Sequence, residues 1–336
     1  MRLARYILVR LLLFIPVVLG VVAFTFFAIR VLPGDPVQAF VGPATTAEDL
    51  AALKQRLGLD LPVWQQFLNY VSGLFTGDFG TSIQTGTPIA TELAWRLGPT
   101  FEIVFLGVGL ALIVSLILGI TAALRVNRPL DQVTRVGSLV GSALPEFWLA
   151  LILIMIGYAW LGWFPGPTGR VGRDLQPTPV TGAEFVDALI TGNIPSLVSA
   201  AHYLVLPVLV VAIGATAALF RSVRSSALEV ISAEPYTAAR AHGIHGSLLV
   251  RGYLLRGTLA RIPTLVALVF GAVLGTVVLI EYVFSWQGMG QWLLRGLLYR
   301  DYPVVQAGVA IVALVYATAY LLADVVQAAL DPRVQL

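Results

Sequence analysis

Six runs of apolar residues, at about 7–29, 101–124, 136–161, 203–220, 262–284 and 303–326, set the terms for this 336-residue chain. Roughly 20 apolar residues in a helix are enough to cross the hydrocarbon of a bilayer. Inside lipid, unpaired backbone groups cost several kcal/mol each, so such runs must be helical. Composition points the same way. Of the residues, 58% are hydrophobic and 12% charged, with a mean hydropathy of +0.86, against about 25% charged in ordinary soluble domains. A water-soluble globule, a disordered chain and a secreted disulfide scaffold are excluded, the last also because there is no cysteine. The net charge of +3 gives no argument for nucleic acid. The expected fold class is therefore an all-α integral membrane protein with six transmembrane helices.

Basic residues orient it. With the N-terminus inside, thirteen arginines (2, 5, 10, 125, 128, 135, 221, 224, 240, 251, 256, 261 and 333) fall on short cytoplasmic pieces. Eight basic residues, among them the single lysine Lys54, are spread over the longer outer ones. Positive charge favours the inside, so both termini are expected to be cytoplasmic. Arg2, Arg5 and Arg10 imitate the start of a signal peptide, but the following run is too long and no A-x-A site follows, so it is expected to stay as an anchor. Trp64, Trp95, Trp160, Trp163, Trp286 and Trp292 all fall at the outer side, where indole rings favour the membrane interface. The outer stretch 30–100 carries an amphipathic pattern over 50–57 closed by Gly58, and a second helical face with Trp64, Phe67, Leu68, Tyr70 and Val71. This divides the chain into residues 1–96, a first span plus an external subdomain, and 97–331, the transmembrane domain proper.

The segment 221–261 is the informative cytoplasmic piece. Residues 225–231 extend the fourth span, and Glu234-Pro235-Tyr236-Thr237-Ala238-Ala239-Arg240-Ala241-His242-Gly243 reads as one short helix. Pro235 suits the first helical position, and Gly243 suits a left-handed C-terminal cap. Arg240 and His242 complement the helix dipole in the last turn. Such a helix either merely turns the chain or docks a cytoplasmic motor. The chain carries no motor of its own: Lys54 stands in Ala52-Leu53-Lys54-Gln55, without the glycines of a G-x4-G-K-[ST] loop. There is no G-x-S-x-G and no H-E-x-x-H, and His242-x2-His245 lacks a third metal ligand.

Ionisable residues at membrane depth are functional candidates. Glu102, Glu281 and Asp324 lie near helix ends, where hydration or pairing is expected. Glu146 falls about ten residues into the third span, roughly 15 Å deep at 1.5 Å per residue. It is either a hydrogen-bonded strut or a translocation-path residue that meets a cationic group, with Pro145 freeing a backbone carbonyl beside it. Gly137-x3-Gly141 and Gly271-x3-Gly275 permit close helix contact.

Residues 237–243 resemble the "EAA" loop of binding-protein-dependent ABC importers, Glu-Ala-Ala, three residues, then Gly. Four further stretches are similar to the dipeptide/oligopeptide permeases of that class: Arg5-Tyr6-Ile7-Leu8 with Arg10-Leu11-Leu12; Leu32-Pro33-Gly34-Asp35-Pro36; Glu281 to Gly290 with Arg300 to Gln306; and Asp331-Pro332-Arg333-Val334. They run from end to end in family order. Gln287 stands where the family usually has Pro, and His242 where it has Lys. The resemblance implies a type I ABC importer permease in a bacterial cytoplasmic membrane, importing peptides; nickel chelates and glutathione are the cargo alternatives within the family. It implies a second homologous permease, two ABC ATPases that bind ATP and Mg, and an extracytoplasmic substrate-binding protein. No cofactor is expected in this chain, and no catalytic residue. Coupling to the ATPases is carried over to Glu234, Ala238, Ala239, Arg240 and Gly243. A stand-alone secondary transporter would need paired intramembrane charges or broken helices, for which Glu146 alone is available.

Overall fold

The computed structural model describes residues 2–31, 47–56 and 58–330; the Leu32–Pro36 and Asp331–Val334 stretches lie outside the described residues. The elements in chain order are α1 (Arg2–Val31), α2 (Ala47–Arg56), α3 (Val63–Thr76), α4 (Ile89–Leu124), α5 (Pro129–Ala143) and α6 (Glu146–Ile154), which runs on into a π-helical turn, Met155–Trp160. Then come α7 (Glu184–Ile190), α8 (Ile194–Ser232) and α9 (Glu234–Ala241). A bulged helix follows, formed by α10 (Ser247–Leu249), a π-helical turn (Val250–Leu255) and α11 (Arg256–Leu259). The chain closes with α12 (Pro263–Phe284), α13 (Met289–Leu298) and α14 (Tyr302–Leu330). Among the described residues there is no strand, only an isolated bridge between Thr81 and Pro88.

Helices α1, α4, α8, α12 and α14 are each long and apolar enough to cross a membrane. The run 136–161, expected as a sixth crossing, is not one continuous helix. It is α5 and α6 with its π turn, bent by 102°. Leu144 is extended, and Pro145 starts the new helix instead of interrupting an old one. A residue before proline is pushed out of the helical region, which explains the break. The 36 and 39 residues of α4 and α8 give rods of about 54 and 59 Å, against about 30 Å of hydrocarbon. Both outrun the apolar runs that reveal them.

These two rods form the most extensive helix pair. They approach along Gly107, Ala111, Ser115 and Gly119, four buried small residues at four-residue spacing. A Cβ at Gly107 would lie 2.5 Å from Val211 Cγ1, and one at Gly119 would lie 2.7 Å from Val223 Cγ1. Close packing of this kind replaces the hydrophobic drive that lipid does not supply. Of the four glycines expected to do this, Gly271 is the tight one, its Cβ clashing with the Tyr316 ring and so joining α12 to α14; a Cβ at Gly141 would meet Ala217 of α8 at an ordinary 3.8 Å, and Gly137 and Gly275 meet nothing within 4 Å.

Burial divides the molecule into a central core and two end clusters. One end holds Ile120, Val223, Tyr236, Leu254 and Ile262; the other holds Ile89, Leu93, Met289, Trp292, Val304 and Ala307. Four of the six tryptophans expected at the outer side, Trp64, Trp95, Trp160 and Trp163, are exposed. Trp286 and Trp292 are instead buried in the protein, where Trp286 donates to the Pro99 carbonyl at 3.0 Å and Trp292 donates to Glu92.

Candidate functional site

At the first end, α8 stops at Ser232 because Ala233 adopts an extended conformation (φ −72°, ψ 147°). Pro235 lies in the first turn of α9, where its missing N–H costs nothing. The helix closes on a complete Schellman motif. Ile244 N donates to Ala239 O at 3.1 Å, Gly243 N donates to Arg240 O at 3.1 Å, and Gly243 sits at φ +82°. That left-handed position is one a side chain disfavours. Glu234 in the first turn and Arg240 in the last both oppose the helix dipole.

Only Tyr236 and Ala239 of α9 are buried. They pack into one cluster with Ile120 and Ala123 of α4, Val223 and Ala227 of α8, Leu254 of the bulged helix, and Ile262 at the start of α12. The other face of α9 is open: Glu234, Pro235, Thr237, Ala238, Arg240 and Ala241 are exposed, with His242 and Gly243 beyond. The five residues expected to couple therefore separate. Glu234, Ala238, Arg240 and Gly243 are available to a partner, while Ala239 faces inward and seats the helix. Tyr236, which the sequence pattern did not single out, is the principal anchor.

Glu146 opens α6 directly after the break and is half-buried. It lies against the small face of α8, where a Cβ at Gly214 would come within 3.1 Å of its Oε1. Thr276 of α12 lies beside its carboxylate, with the Thr276 hydroxyl donating to Val273 O at 3.4 Å, and Oε2 has no hydrogen-bond partner among the described residues. The site thus joins three spans, with one acceptor left over. Its place at a helix N-terminus favours a carboxylate.

The opposite end is built on carboxylates that cap backbone N–H groups. Of the two outcomes expected for Glu102 and Glu281, hydration or pairing, the structure shows the second: both are buried and hydrogen-bonded to protein groups. Glu102 Oε1 accepts from Phe185 N (2.8 Å) and Val186 N (3.0 Å), fixing α7. Glu281 accepts from Thr100 Oγ1 and from Gln291 N (2.8 Å), and Thr100 in turn accepts from Met289 N (2.8 Å). A Cβ at Gly288 would lie 2.3 Å from Glu281 Oε1, so glycine is required beside the carboxylate. Asp324 is paired, to Arg10 at 3.2 Å. On α7, burial raises Glu184 above the usual carboxylate range, against the opposing pull of Arg170 at 3.2 Å. For Asp187 burial acts upward too. The Thr181 hydroxyl and the N–H groups of Val180, Thr181 and Gly182 outweigh it and hold that carboxyl below its ordinary value. Among the described residues no cluster of three metal-ligating side chains occurs.

Comparison with known proteins is consistent along the whole chain. Residues 115–336 match the family model described as "Binding-protein-dependent transport system inner membrane component". Residues 3–91 match "Binding-prot-dependent transport system membrane comp, N-term". The dipeptide transport system permease protein DppB of Alkalihalophilus pseudofirmus is 34% identical over 333 residues, covering 98% of this chain and 99% of that one. The di/tripeptide transport system permease protein DppB of Pseudomonas aeruginosa is 35% identical, covering 97% of each. The glutathione transport system permease protein GsiC of Salmonella choleraesuis is 33% identical, covering 98% and 99%.

Proposed function

The chain belongs to the family of inner membrane components of binding-protein-dependent transport systems, and from that premise we propose that it is a peptide-importing permease subunit whose α9 is the coupling helix. One observation carries the reading: a short helix with an open outer face is rooted, through Tyr236 and Ala239, in a buried cluster shared with the ends of α4 and α8 and with Ile262 just before α12. A push on its outer face is delivered to α4, α8 and α12 together. In this reading α9 lies in the cytoplasm, both termini lie inside, and two ABC ATPases that bind ATP and Mg receive Glu234, Ala238, Arg240 and Gly243 in a cleft. The chain itself is non-catalytic. A second, related permease completes the path, and a binding protein delivers cargo from outside. Peptide is the proposed cargo because the relatives above are permeases for dipeptides, tripeptides or glutathione, itself a tripeptide; glutathione and nickel chelates stay as the alternatives within the family. Glu146, with its unpartnered oxygen at the broken span, is assigned to the path, where it would meet a peptide's amino group.

Co-purification of the complex tests the coupling assignment. Arg240→Glu and Gly243→Pro are expected to release the ATPases from the permease pair; intact complex in both would defeat it. In peptide uptake, Glu146→Gln is expected to weaken transport of cationic cargo most. Unchanged uptake across a peptide panel would remove Glu146 from the path.

A further inference from the structure

Helix α5 is attached to the rest of the subunit in an unusual way. Of its 15 residues only Asp131 is buried. Midway along, an apolar groove of about 280 Å³ separates it from its neighbours, lined by Leu110 and Leu118 of α4, Gly137 and Gly141 of α5, and Ile213 and Ala217 of α8. At its far end the chain breaks at Leu144-Pro145 and turns through 102° into α6 and Glu146. The near end is held by a two-point ion pair. Arg224 of α8 donates from Nε to Asp131 Oδ1 at 2.6 Å and from an Nη to Oδ2 at 2.9 Å. Asp131 is completely buried, and Arg224 is mostly so. Asp131 also accepts from Asn127 N at 3.0 Å, which fixes the turn that enters α5.

Arg224 sits beside Val223, and Val223 and Ala227 belong to the cluster that roots α9. We infer that the Arg224–Asp131 pair is the link through which movement of α9 and α8 is imposed on α5, and so on the broken span that carries Glu146. The inference rests on the coupling role proposed for α9. An apolar contact would hold α5 near α8 but let it slide and rotate. Two parallel charge-assisted bonds fix distance and direction together, and α5 has no other buried side chain to do so. Arg224 and Asp131 are positioning residues: neither is placed against cargo or nucleotide.

The test uses the assembled transporter with its ATPases and binding protein, reading peptide taken up per ATP hydrolysed. Arg224→Lys keeps the charge but loses the fork. Asp131→Asn loses the charge. Because a single variant can leave a buried charge alone and fail to fold, the double variant Asp131→Leu/Arg224→Met is the third arm, since well-packed apolar replacements of buried ion pairs usually retain stability. Expected are intact complexes, a thermal midpoint of the double variant close to the parent, and uptake per ATP lowered about tenfold or more in every variant that assembles, the loss that follows from one charge-assisted bond. If the double variant regains both stability and the parental uptake per ATP, the pair is only a packing contact and the inference falls. Failure of the α9 reading is separate: there Arg240→Glu and Gly243→Pro leave assembly intact. A failure of the pair alone shows those two variants acting while the Asp131 and Arg224 variants couple normally.

Discussion

Replacing Tyr236 by alanine probes the root of α9 directly. The residue is 6% exposed and belongs to the buried cluster that also holds side chains of α4, α8 and the bulged helix, with Ile262 just before α12. A buried aromatic side chain hides about 150–250 Å². At about 25 cal/mol per Å² that is worth about 4–6 kcal/mol, an upper bound because the unfolded chain already hides part of it. Core aromatic-to-alanine changes cost about 3–5 kcal/mol. Helix α9 has eight residues, too few to persist unaided when isolated helices shorter than about 12–15 residues are marginal. The loss therefore falls on docking of this helix and not on the whole bundle. At one decade per 1.4 kcal/mol, a loss of about 3 kcal/mol raises local opening about 100-fold. Hydrogen exchange of the amides at 236–244, followed by mass spectrometry on the intact transporter, is the assay. Tyr236→Ala is expected to exchange about 100-fold faster there and to lose uptake, while Tyr236→Phe, which keeps the ring, stays near the parent. Unchanged exchange at 236–244 in Tyr236→Ala would show that the ring does not hold the helix, and the mechanical argument would fail.

Two further outcomes follow from particular contacts. Gly271→Ala places a methyl group inside the Tyr316 ring and is expected to lower stability by about 1–3 kcal/mol, read as a fall in thermal midpoint in detergent; adding Tyr316→Leu should restore most of it, and absence of rescue would remove Tyr316 as the cause. Asp187 is held below the ordinary carboxylate value, so its contribution is complete above the unfolded value of about 3.9 and is lost as pH falls through the lower folded value. Proteolysis at 180–190 is expected to rise on acidification below about pH 4 in the parent and to show no acid step in Asp187→Asn; a parent that opened on raising the pH would have the wrong sign.

Much of this was legible before the structure. Pro235 and Gly243 bracket α9 because one lacks an N–H and the other tolerates a left-handed backbone, both local requirements. The burial of Ala239 was not legible, because an alanine on an eight-residue helix suits either face until its neighbours are known. Pro145 carried a readable signal for the break, but the apolar run around it argued for continuity and outweighed it. The α4 stripe escaped notice because two of its four members are Ala and Ser, and close approach needs only a small residue, not a glycine. The roles of Glu102 and Glu281 depend on N–H groups brought from residues 185–186 and 291. Such tertiary partners leave no local pattern in the chain.

The length of α8 has a consequence for leakage. It reaches from α7 at one face to α9 at the other as a single piece, with Pro207 its only internal proline. On the proposed reading, tilting such a beam at its inner tip must swing its outer tip the opposite way. Opening towards one compartment and sealing from the other are then the same displacement, not two events to be synchronised. Tightness against ions would depend on bending stiffness near its midpoint as much as on any gate side chain.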